Sequence, residues 1–182
     1  MNKSELRKVL KERRRAIEKS ERLKKSTMIC KSVTESHIFK ESDVVMIYLS
    51  FSDEVDTEEI ITTAFREGKK VIVPVVDGEV MFASVLNSRE QLKKGAFGIS
   101  EPVIKEEWTG KVDLCIIPGL GFDRKGGRIG FGRGYYDKFL SKTPCKRIGL
   151  AFSEQIAENV FGEEHDISMD IIVTEEEMFY CG

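Results

Sequence analysis

The sequence has few of the residues that build zinc sites or disulfide frameworks. Its 182 residues include only two histidines and four cysteines, and no two cysteines form a CxxC pair. A structural zinc site needs clustered thiolates and imidazoles, so none is expected here. Scattered thiols fit a reducing compartment better than a disulfide-stapled secreted fold.

Long apolar runs and an excess of one charge are also absent. No stretch approaches the roughly 20 apolar residues that a membrane-spanning helix needs. The N-terminal segment is charged and has no apolar centre, which argues against a signal peptide, so we expect a cytoplasmic location. The net charge of -2 gives no overall positive field, and nucleic acid is therefore not an expected partner.

Instead, helical and strand patterns alternate along the chain. Residues 3–37 contain no glycine or proline and predict one or two helices. Predicted strands cover residues 44–49, 70–76, 80–86, 112–117, 147–152 and 171–174, and further helices cover 60–66, 88–92 and 135–141. Asp77 and Gly78 predict a hairpin turn between the second and third strands. This order predicts one α/β domain over residues 1–182, with a mostly parallel sheet and helices on both faces.

The most informative segment is glycine-rich and covers residues 118–137, PGLGFDRKGGRIGFGRGYYD, between a predicted strand and a predicted helix. Its alternating glycines let backbone amides approach an anion, because no Cβ intervenes. Arg128 and Arg133 add positive charge, and Asp137 would need a hard cation such as Mg²⁺ beside phosphates. The segment is neither a Walker A loop nor a GxGxxG fingerprint. It predicts a nucleotide or phosphate site with magnesium, and a tightly turned surface loop is the alternative.

This segment resembles the signature of the 5-formyltetrahydrofolate cyclo-ligase family, the methenyltetrahydrofolate synthetases. The resemblance is carried by PGLGFD at residues 118–123 and GRIGFGRGYYD at 127–137. Weaker matches in the same order bring it to nearly the whole chain. They are KSELR at 3–7, LSFSDEVDT at 49–57, FGISEP at 97–102, His165-Asp166, Met169-Asp170 and Val173-Thr174-Glu175.

The resemblance implies that ATP and Mg²⁺ drive the cyclisation of 5-formyltetrahydrofolate to 5,10-methenyltetrahydrofolate through phosphorylation of the formyl oxygen, with release of ADP and phosphate. Arg128 and Tyr135 are the implied catalytic residues, and Asp137 and Asp166 the implied metal ligands. The implied folate contacts are Leu49, Glu54, Phe97 and Tyr135. The implied ATP contacts are Lys3, Arg7, Arg128, Gly130, Phe131, Gly132, Arg133, Gly134, Tyr135 and Tyr136. The expected partners are these two small molecules alone, and we expect a monomer.

Two other functions are compatible with parts of the pattern. A non-catalytic ATP-binding regulatory module would need the glycine-rich segment, Lys3 and Arg7, but it has no use for a pterin-facing Glu54. RNA association through the basic run at residues 11–15 would bind in a steeply salt-dependent way. The same residues also have ordinary interpretations, since a charged helix face is usually solvated and an acidic turn often caps a helix.

Overall fold

The computed structural model describes residues 1–95 and 98–182, and alternating helices and strands make up most of it. The helices are α1 (Lys3–Ala16), α2 (Lys19–Glu35), α3 (His37–Glu41), α4 (Glu58–Arg66) and α5 (Tyr135–Ser141). The strands are β1 (Val44–Ile47), β2 (Lys70–Asp77), β3 (Val80–Leu86), β4 (Leu92–Lys94), β5 (Ser100–Pro102), β6 (Leu114–Ile117), β7 (Gly121–Phe122), β8 (Arg128–Ile129), β9 (Lys146–Leu150), β10 (Ile171–Val173) and β11 (Met178–Tyr180).

Seven of these strands form one sheet in the order β11-β10-β9-β6-β1-β2-β3. The five inner strands run parallel, and β3 and β11 join the two edges in antiparallel pairs. β2 and β3 form the hairpin that Asp77 and Gly78 predict, with Asp77 opposite Val80 and Gly78 at a positive φ of 62°. The predicted α/β class with a mostly parallel sheet is confirmed.

The sheet is buried on both faces because its inner strands are continuous apolar runs. Along β1, Val45 and Ile47 face a core cluster that includes side chains of α2, α3 and α4. Met46, between them, faces the opposite cluster, where side chains of α5 pack. Burying each such side chain contributes about 1.5–3 kcal/mol. Helices therefore cover both faces, as the sequence predicts.

α1 packs outside these two clusters, against the glycine-rich segment. Its Leu6 and Leu10, four residues apart on one face, join a small cluster with Leu120, Ile129 and Val160. The helix begins with a capping box, in which the Asn2 side chain accepts the Glu5 N–H and the Glu5 carboxylate accepts the Asn2 N–H. This packing carries the N-terminal basic residues to the glycine-rich segment.

Several short elements differ from the sequence-based expectation. Residues 88–92 form a 3₁₀ turn at Arg89–Gln91 rather than a helix, and the ribbons β4–β5 and β7–β8 and the edge strand β11 were not predicted. These strands have two or three residues each, too few to show a period of two. No helix in the two described ranges combines the length and apolarity needed to cross a membrane.

Candidate active site

Asp123 folds the glycine-rich segment into its turn. One of its carboxylate oxygens accepts the backbone N–H groups of Lys125 at 3.0 Å and Gly127 at 2.9 Å. The other accepts the N–H of Val160 at 3.1 Å. Because both oxygens already bind backbone donors, this carboxylate organises the loop and is not a candidate metal ligand. The turn returns the chain as β8, which pairs with β7.

Arg128 is a half-buried cation at the start of β8. Its guanidinium carbon lies 5.0 Å from the centre of the Tyr136 ring. Its Nε is buried without a hydrogen-bond partner, and no ion pair to the guanidinium forms within the described residues. Burial lowers the pKa of Arg128, while the nearby Asp137 carboxylate acts in the opposite direction. Since burying an unpaired charge is costly, the arrangement fits an anionic ligand at this position.

α1 supplies two more basic groups, one turn apart. Arg7 donates from Nε to the carbonyl of Gly130 at 2.9 Å. Gly132, at a φ of +100°, lies so close that a Cβ on it would be 3.5 Å from the Arg7 guanidinium carbon. Lys3 lies one turn before Arg7 on α1, and its Nζ is 3.0 Å from the Asp166 carboxylate and 3.2 Å from the Glu163 carboxylate. The N-terminal helix and the glycine-rich segment therefore form one basic surface.

Asp137 and Asp166, the two predicted metal ligands, are brought to the same place. Asp137 Oδ1 accepts the N–H of Ile167 at 3.0 Å, directly after Asp166 in the chain. Burial alone would raise the pKa of Asp166, but the Glu163 N–H and the Lys3 ammonium outweigh it and hold the pKa below its usual range. Asp166 therefore stays ionised at neutral pH.

Within the described residues, no group of three or more histidine, cysteine, aspartate or glutamate side chains is arranged to hold a metal ion. Two carboxylates alone are too few for a closed protein site. They do fit Mg²⁺, which commonly takes one or two carboxylates and completes its shell with phosphate oxygens and water. The donor set of Asp137 and Asp166 is therefore compatible with a magnesium–nucleotide complex.

Glu54 lies in the loop between β1 and α4. Its carboxylate accepts the N–H of Phe51 at 3.0 Å. Burial raises the pKa of Glu54 to about 7, and Asp53 adds to the rise, whereas the Phe51 N–H and Arg14 oppose it. The pKa of Tyr136 is also raised, mainly by burial and secondly by the charge of the Glu54 carboxylate. Because that tyrosine stacks with Arg128, one site contains an unpaired cation and a readily protonated carboxylate.

A cavity of about 230 Å³ opens beside Glu54 on the side of α2. No residue of the glycine-rich segment lines it. Its lining residues are Lys19, Arg22, Leu23, Ser26, Ser50, Ser52, Glu54 and Asp56. Leu49 is half-buried against the core cluster at this end of β1. Phe97, the remaining predicted folate contact, lies outside the described residues.

The two adjacent tyrosines of α5 point to different surroundings. The Tyr135 hydroxyl donates to the carbonyl of Gly78 in the β2–β3 turn at 2.9 Å. Tyr136 is the one that lies with Arg128 and within reach of the Glu54 charge. The role predicted for Tyr135 beside the formyl group stays a prediction. Phe131 and Arg133, also predicted to contact ATP, are both exposed.

The chain matches the 5-formyltetrahydrofolate cyclo-ligase family over residues 1–175. It belongs to this family. A mouse 5-formyltetrahydrofolate cyclo-ligase is 35% identical, with 94% of this chain and 92% of the mouse protein covered. A probable 5-formyltetrahydrofolate cyclo-ligase of Caenorhabditis elegans is 33% identical, with 96% and 93% covered. The solution structure of Aquifex aeolicus 5,10-methenyltetrahydrofolate synthetase superposes with a TM-score of 0.87 at 36% identity, covering 99% of this chain and 93% of that one.

Membership of the cyclo-ligase family confirms the resemblance seen in the sequence, and the structure adds residues that the sequence did not single out. Arg14 on α1 is buried and forms an ion pair with Asp53, Nη2 to Oδ1, at 2.8 Å. Gln155 is also buried and donates to the carbonyls of Gly119 at 2.9 Å and Leu120 at 3.0 Å. A helical signal for Arg14 did exist, because it follows Leu6 and Leu10 at a spacing of four.

Proposed function

We propose that this chain is an ATP-dependent 5-formyltetrahydrofolate cyclo-ligase, producing 5,10-methenyltetrahydrofolate, ADP and phosphate. Its membership of the cyclo-ligase family supports the reaction. The observation that carries the proposal is the half-buried Arg128, which forms no ion pair within the described residues and lies over the ring of Tyr136, whose pKa the Glu54 carboxylate raises. In such a site, Arg128 can bind a phosphate and Glu54 can accept hydrogen bonds from the N–H groups of a pterin.

On the nucleotide side, Arg128, Arg7 and the loop from Gly130 to Tyr136 would hold the triphosphate. Arg128 is suited to this role because a guanidinium binds phosphate oxygens with two parallel hydrogen bonds. Arg7 is already fixed to the loop through Gly130. Lys3 would leave its ion pairs with Asp166 and Glu163 to meet a phosphate, and Arg133 and Phe131 would contact the nucleotide from the exposed side of the loop.

Asp137 and Asp166 would hold a magnesium ion, and we propose Mg²⁺ as the required metal. When bound, the ion supplies positive charge that neutralises the phosphate oxygens. The two carboxylates are suited to the ion because Asp166 stays ionised at neutral pH. The hydrogen bond from the Ile167 N–H holds Asp137 beside the chain segment that carries Asp166.

The chemistry would begin at the formyl group. A formyl oxygen is a poor leaving group, so direct closure by the N10 amine is slow in water. Attack of this oxygen on the γ-phosphorus, with departure of ADP, would give a phosphorylated imidate-like carbon. The N10 lone pair would then attack that carbon, the C–O bond to phosphate would break, and the N10 proton would pass to the departing phosphate. The protein would act mainly by positioning the reactants and stabilising charge on the transferring group.

Specific side chains fit these steps. Arg128 would stabilise the charge on the transferring phosphoryl group. The Tyr136 hydroxyl is protonated at neutral pH, as its raised pKa requires, so it can donate a hydrogen bond to an oxyanion. Glu54, when ionised, would accept pterin N–H groups, and Leu49 and Phe97 would contact the folate. Tyr135 would approach the formyl group after its hydroxyl leaves the Gly78 carbonyl.

The test is the absorbance of methenyltetrahydrofolate, followed with purified protein, 5-formyltetrahydrofolate, ATP and Mg²⁺. We expect product only when ATP and magnesium are both present, and a large loss of turnover in Arg128→Met and Asp137→Ala. Arg124→Met is the matched control, because Arg124 is an exposed arginine of the same segment that pairs with Glu177. Unchanged turnover in Arg128→Met would contradict the proposal. ATP binding without product would favour the regulatory module.

We also propose that the enzyme is a cytoplasmic monomer that uses no partner beyond its two substrates. The four cysteines are free thiols, a state that a reducing compartment maintains. Light scattering after size-exclusion chromatography tests the monomer, and fractionation of cells that express the tagged chain tests the location. A dimer mass or a membrane-enclosed fraction would contradict these two points.

A further inference from the structure

A single buried guanidinium contacts two other segments of the site. Arg14 Nη2 lies 2.8 Å from Asp53 Oδ1, and the two side chains are 4% and 10% exposed. Its Nη1 lies 3.4 Å from the carbonyl of Gly119, the second residue of the glycine-rich segment. Arg14 thereby joins α1, the loop after β1 and the start of the glycine-rich segment.

The hydrogen-bonding groups of the Arg14–Asp53 ion pair are only partly satisfied. Arg14 Nε and Asp53 Oδ2 are both buried without a hydrogen-bond partner. Removing two charges from water is costly, and well-packed apolar residues often replace a buried ion pair with equal or greater stability. An apolar residue at this position would also continue the buried face formed by Leu6 and Leu10. Stability alone therefore does not explain the pair.

The position of Asp53 suggests a different role. It directly precedes Glu54, whose carboxylate closes a short turn onto the Phe51 N–H. The Gly119 carbonyl that Arg14 approaches also accepts a 2.9 Å hydrogen bond from Gln155 Nε2. Fixing the Asp53 side chain thus fixes the backbone that carries Glu54 relative to the glycine-rich segment.

We propose that Arg14 is a positioning residue which, through Asp53, holds Glu54 in register with the glycine-rich segment for folate binding. This inference rests on the proposed function and deepens it. Arg14 itself touches no substrate. It acts through Asp53, and Asp53 acts through the orientation and charge of its neighbour Glu54.

The electrostatics of Glu54 give this role a distinctive signature. Besides Arg14 and Asp53, the ionisable groups around its carboxylate are Tyr48 directly after β1, Tyr136 of α5, and Lys19, Arg22 and Asp56 at the adjoining cavity. Arg14 lowers the pKa of Glu54, and Asp53 raises it. Removing Arg14 should therefore raise the pKa of Glu54, and removing Asp53 should lower it.

The sign of the effect on binding follows. Glu54 accepts pterin N–H groups only when it is ionised, so affinity for 5-formyltetrahydrofolate should rise with pH through its pKa of about 7. Arg14→Met should move this rise to higher pH, and Asp53→Asn should move it to lower pH. General damage to the fold would weaken binding in both variants without displacing the two curves in opposite directions.

The experiment is calorimetric titration of the full chain with 5-formyltetrahydrofolate from about pH 5.5 to about pH 8.5, which brackets that pKa. Arg15→Met is the matched control, because Arg15 is the exposed neighbour on the same helix. Glu54→Gln should abolish the pH dependence. Opposite displacements in Arg14→Met and Asp53→Asn, with none in Arg15→Met, support the proposal. Curves displaced in the same direction, or not at all, overturn it.

Removing one member of a buried pair can prevent folding, so a second variant keeps the proposal testable. Arg14→Met combined with Asp53→Leu replaces the whole pair with apolar side chains. We expect it to melt near the temperature of the unsubstituted chain, bind ATP normally, and show a severalfold higher KM for the folate. A folate KM equal to that of the unsubstituted chain would overturn the positioning role. Failure of the unsubstituted chain to bind the folate would instead overturn the proposed function, and the inference with it.

Discussion

The ammonium of Lys3 lies 3.0 Å from the carboxylate of Asp166, so the first basic residue of α1 is paired with one of the two carboxylates proposed to hold magnesium. Both side chains are partly exposed, at 22% and 16%. The contact bridges the N-terminus and the region near residue 166. A magnesium–nucleotide complex would replace it with contacts from Lys3 to phosphate and from Asp166 to the metal.

Replacing Lys3 should therefore affect nucleotide binding more than stability. Lys3→Met removes a phosphate contact, and we expect the KM for ATP to rise severalfold. The melting temperature should change little, because partly exposed ion pairs contribute only about 0–1 kcal/mol. Steady-state kinetics with varied ATP and thermal melting measure the two effects. Lys8→Met, at an exposed position on the same helix, should leave both values unchanged.

Asp123→Ala should destabilise the protein and weaken ATP binding together. The carboxylate accepts three backbone N–H groups, from Lys125, Gly127 and Val160, and alanine leaves these donors without that acceptor. A hydrogen bond to a charged group contributes about 1.5–3 kcal/mol, so the loss should be a few kcal/mol. Urea unfolding and ATP titration test this. Asp123→Asn, which keeps an acceptor oxygen, should be affected less, and equal losses in the two variants would contradict this account.

Asp113 should make stability depend on pH in acid. Its carboxylate accepts the N–H groups of Val44 and Asp43 at 2.9 and 3.0 Å. The Val44 bond is the largest cause of its lowered pKa, and burial acts against it. A lowered pKa in the folded state stabilises the protein above the unfolded value, near 3.9, and this stabilisation is lost as pH falls through the folded value.

Asp113→Asn should consequently be less stable than the unsubstituted chain at neutral pH, by about 1–2 kcal/mol. The difference should shrink as the pH falls through the acid range, because the unsubstituted carboxylate is then protonated as well. Urea unfolding at a series of pH values measures it. Asp77→Asn, at an exposed position, is the control. A stability difference that stays constant into acid would exclude this origin.

The cysteines should differ in reactivity. Cys145 Sγ lies 3.3 Å from Cys115 Sγ, and the hydrogen bond between the two thiols lowers the pKa of Cys145. Burial raises the pKa of Cys181, which is also partly exposed. Because the thiolate is the nucleophile, iodoacetamide should label Cys145 at lower pH than Cys181. Peptide mass spectrometry across a pH series measures this order. Earlier labelling of Cys181 would contradict it.

The sequence predicts the main sheet well because most of its strands are continuous apolar runs. The apolar runs that become β1, β2, β3, β6, β9 and β10 are buried on both faces, and such runs are visible without knowledge of the partners. β7 and β8 have two residues each, and their pairing depends on the Asp123 turn rather than on local apolar pattern. Contacts of that kind form only when distant segments meet, so periodicity cannot reveal them.

For the site, the sequence identified residue types more readily than their directions. Tyr135 and Tyr136 are adjacent on a helix and diverge by about 100° around its axis, so only the packing of α5 decides which one meets Arg128. Arg14 lies in a run of charged residues that looks like a solvated helix face, yet tertiary packing buries it against Asp53. Contacts between residues that are distant in the sequence, such as Arg14 and Asp53, become visible only in the folded structure.

The separate packing of α1 has a consequence for native-state motion. Its apolar contacts form a small cluster of Leu6, Leu10, Leu120, Ile129 and Val160, apart from the two clusters that enclose the sheet. A helix that has a small apolar cluster, and that is otherwise held by polar contacts of Lys3, Arg7 and Arg14, can detach without unfolding the rest of the protein. Amide hydrogens of α1 should therefore exchange with deuterium faster than those of β1 or β6. Nucleotide bound between Arg7 and the glycine-rich segment should slow that exchange selectively.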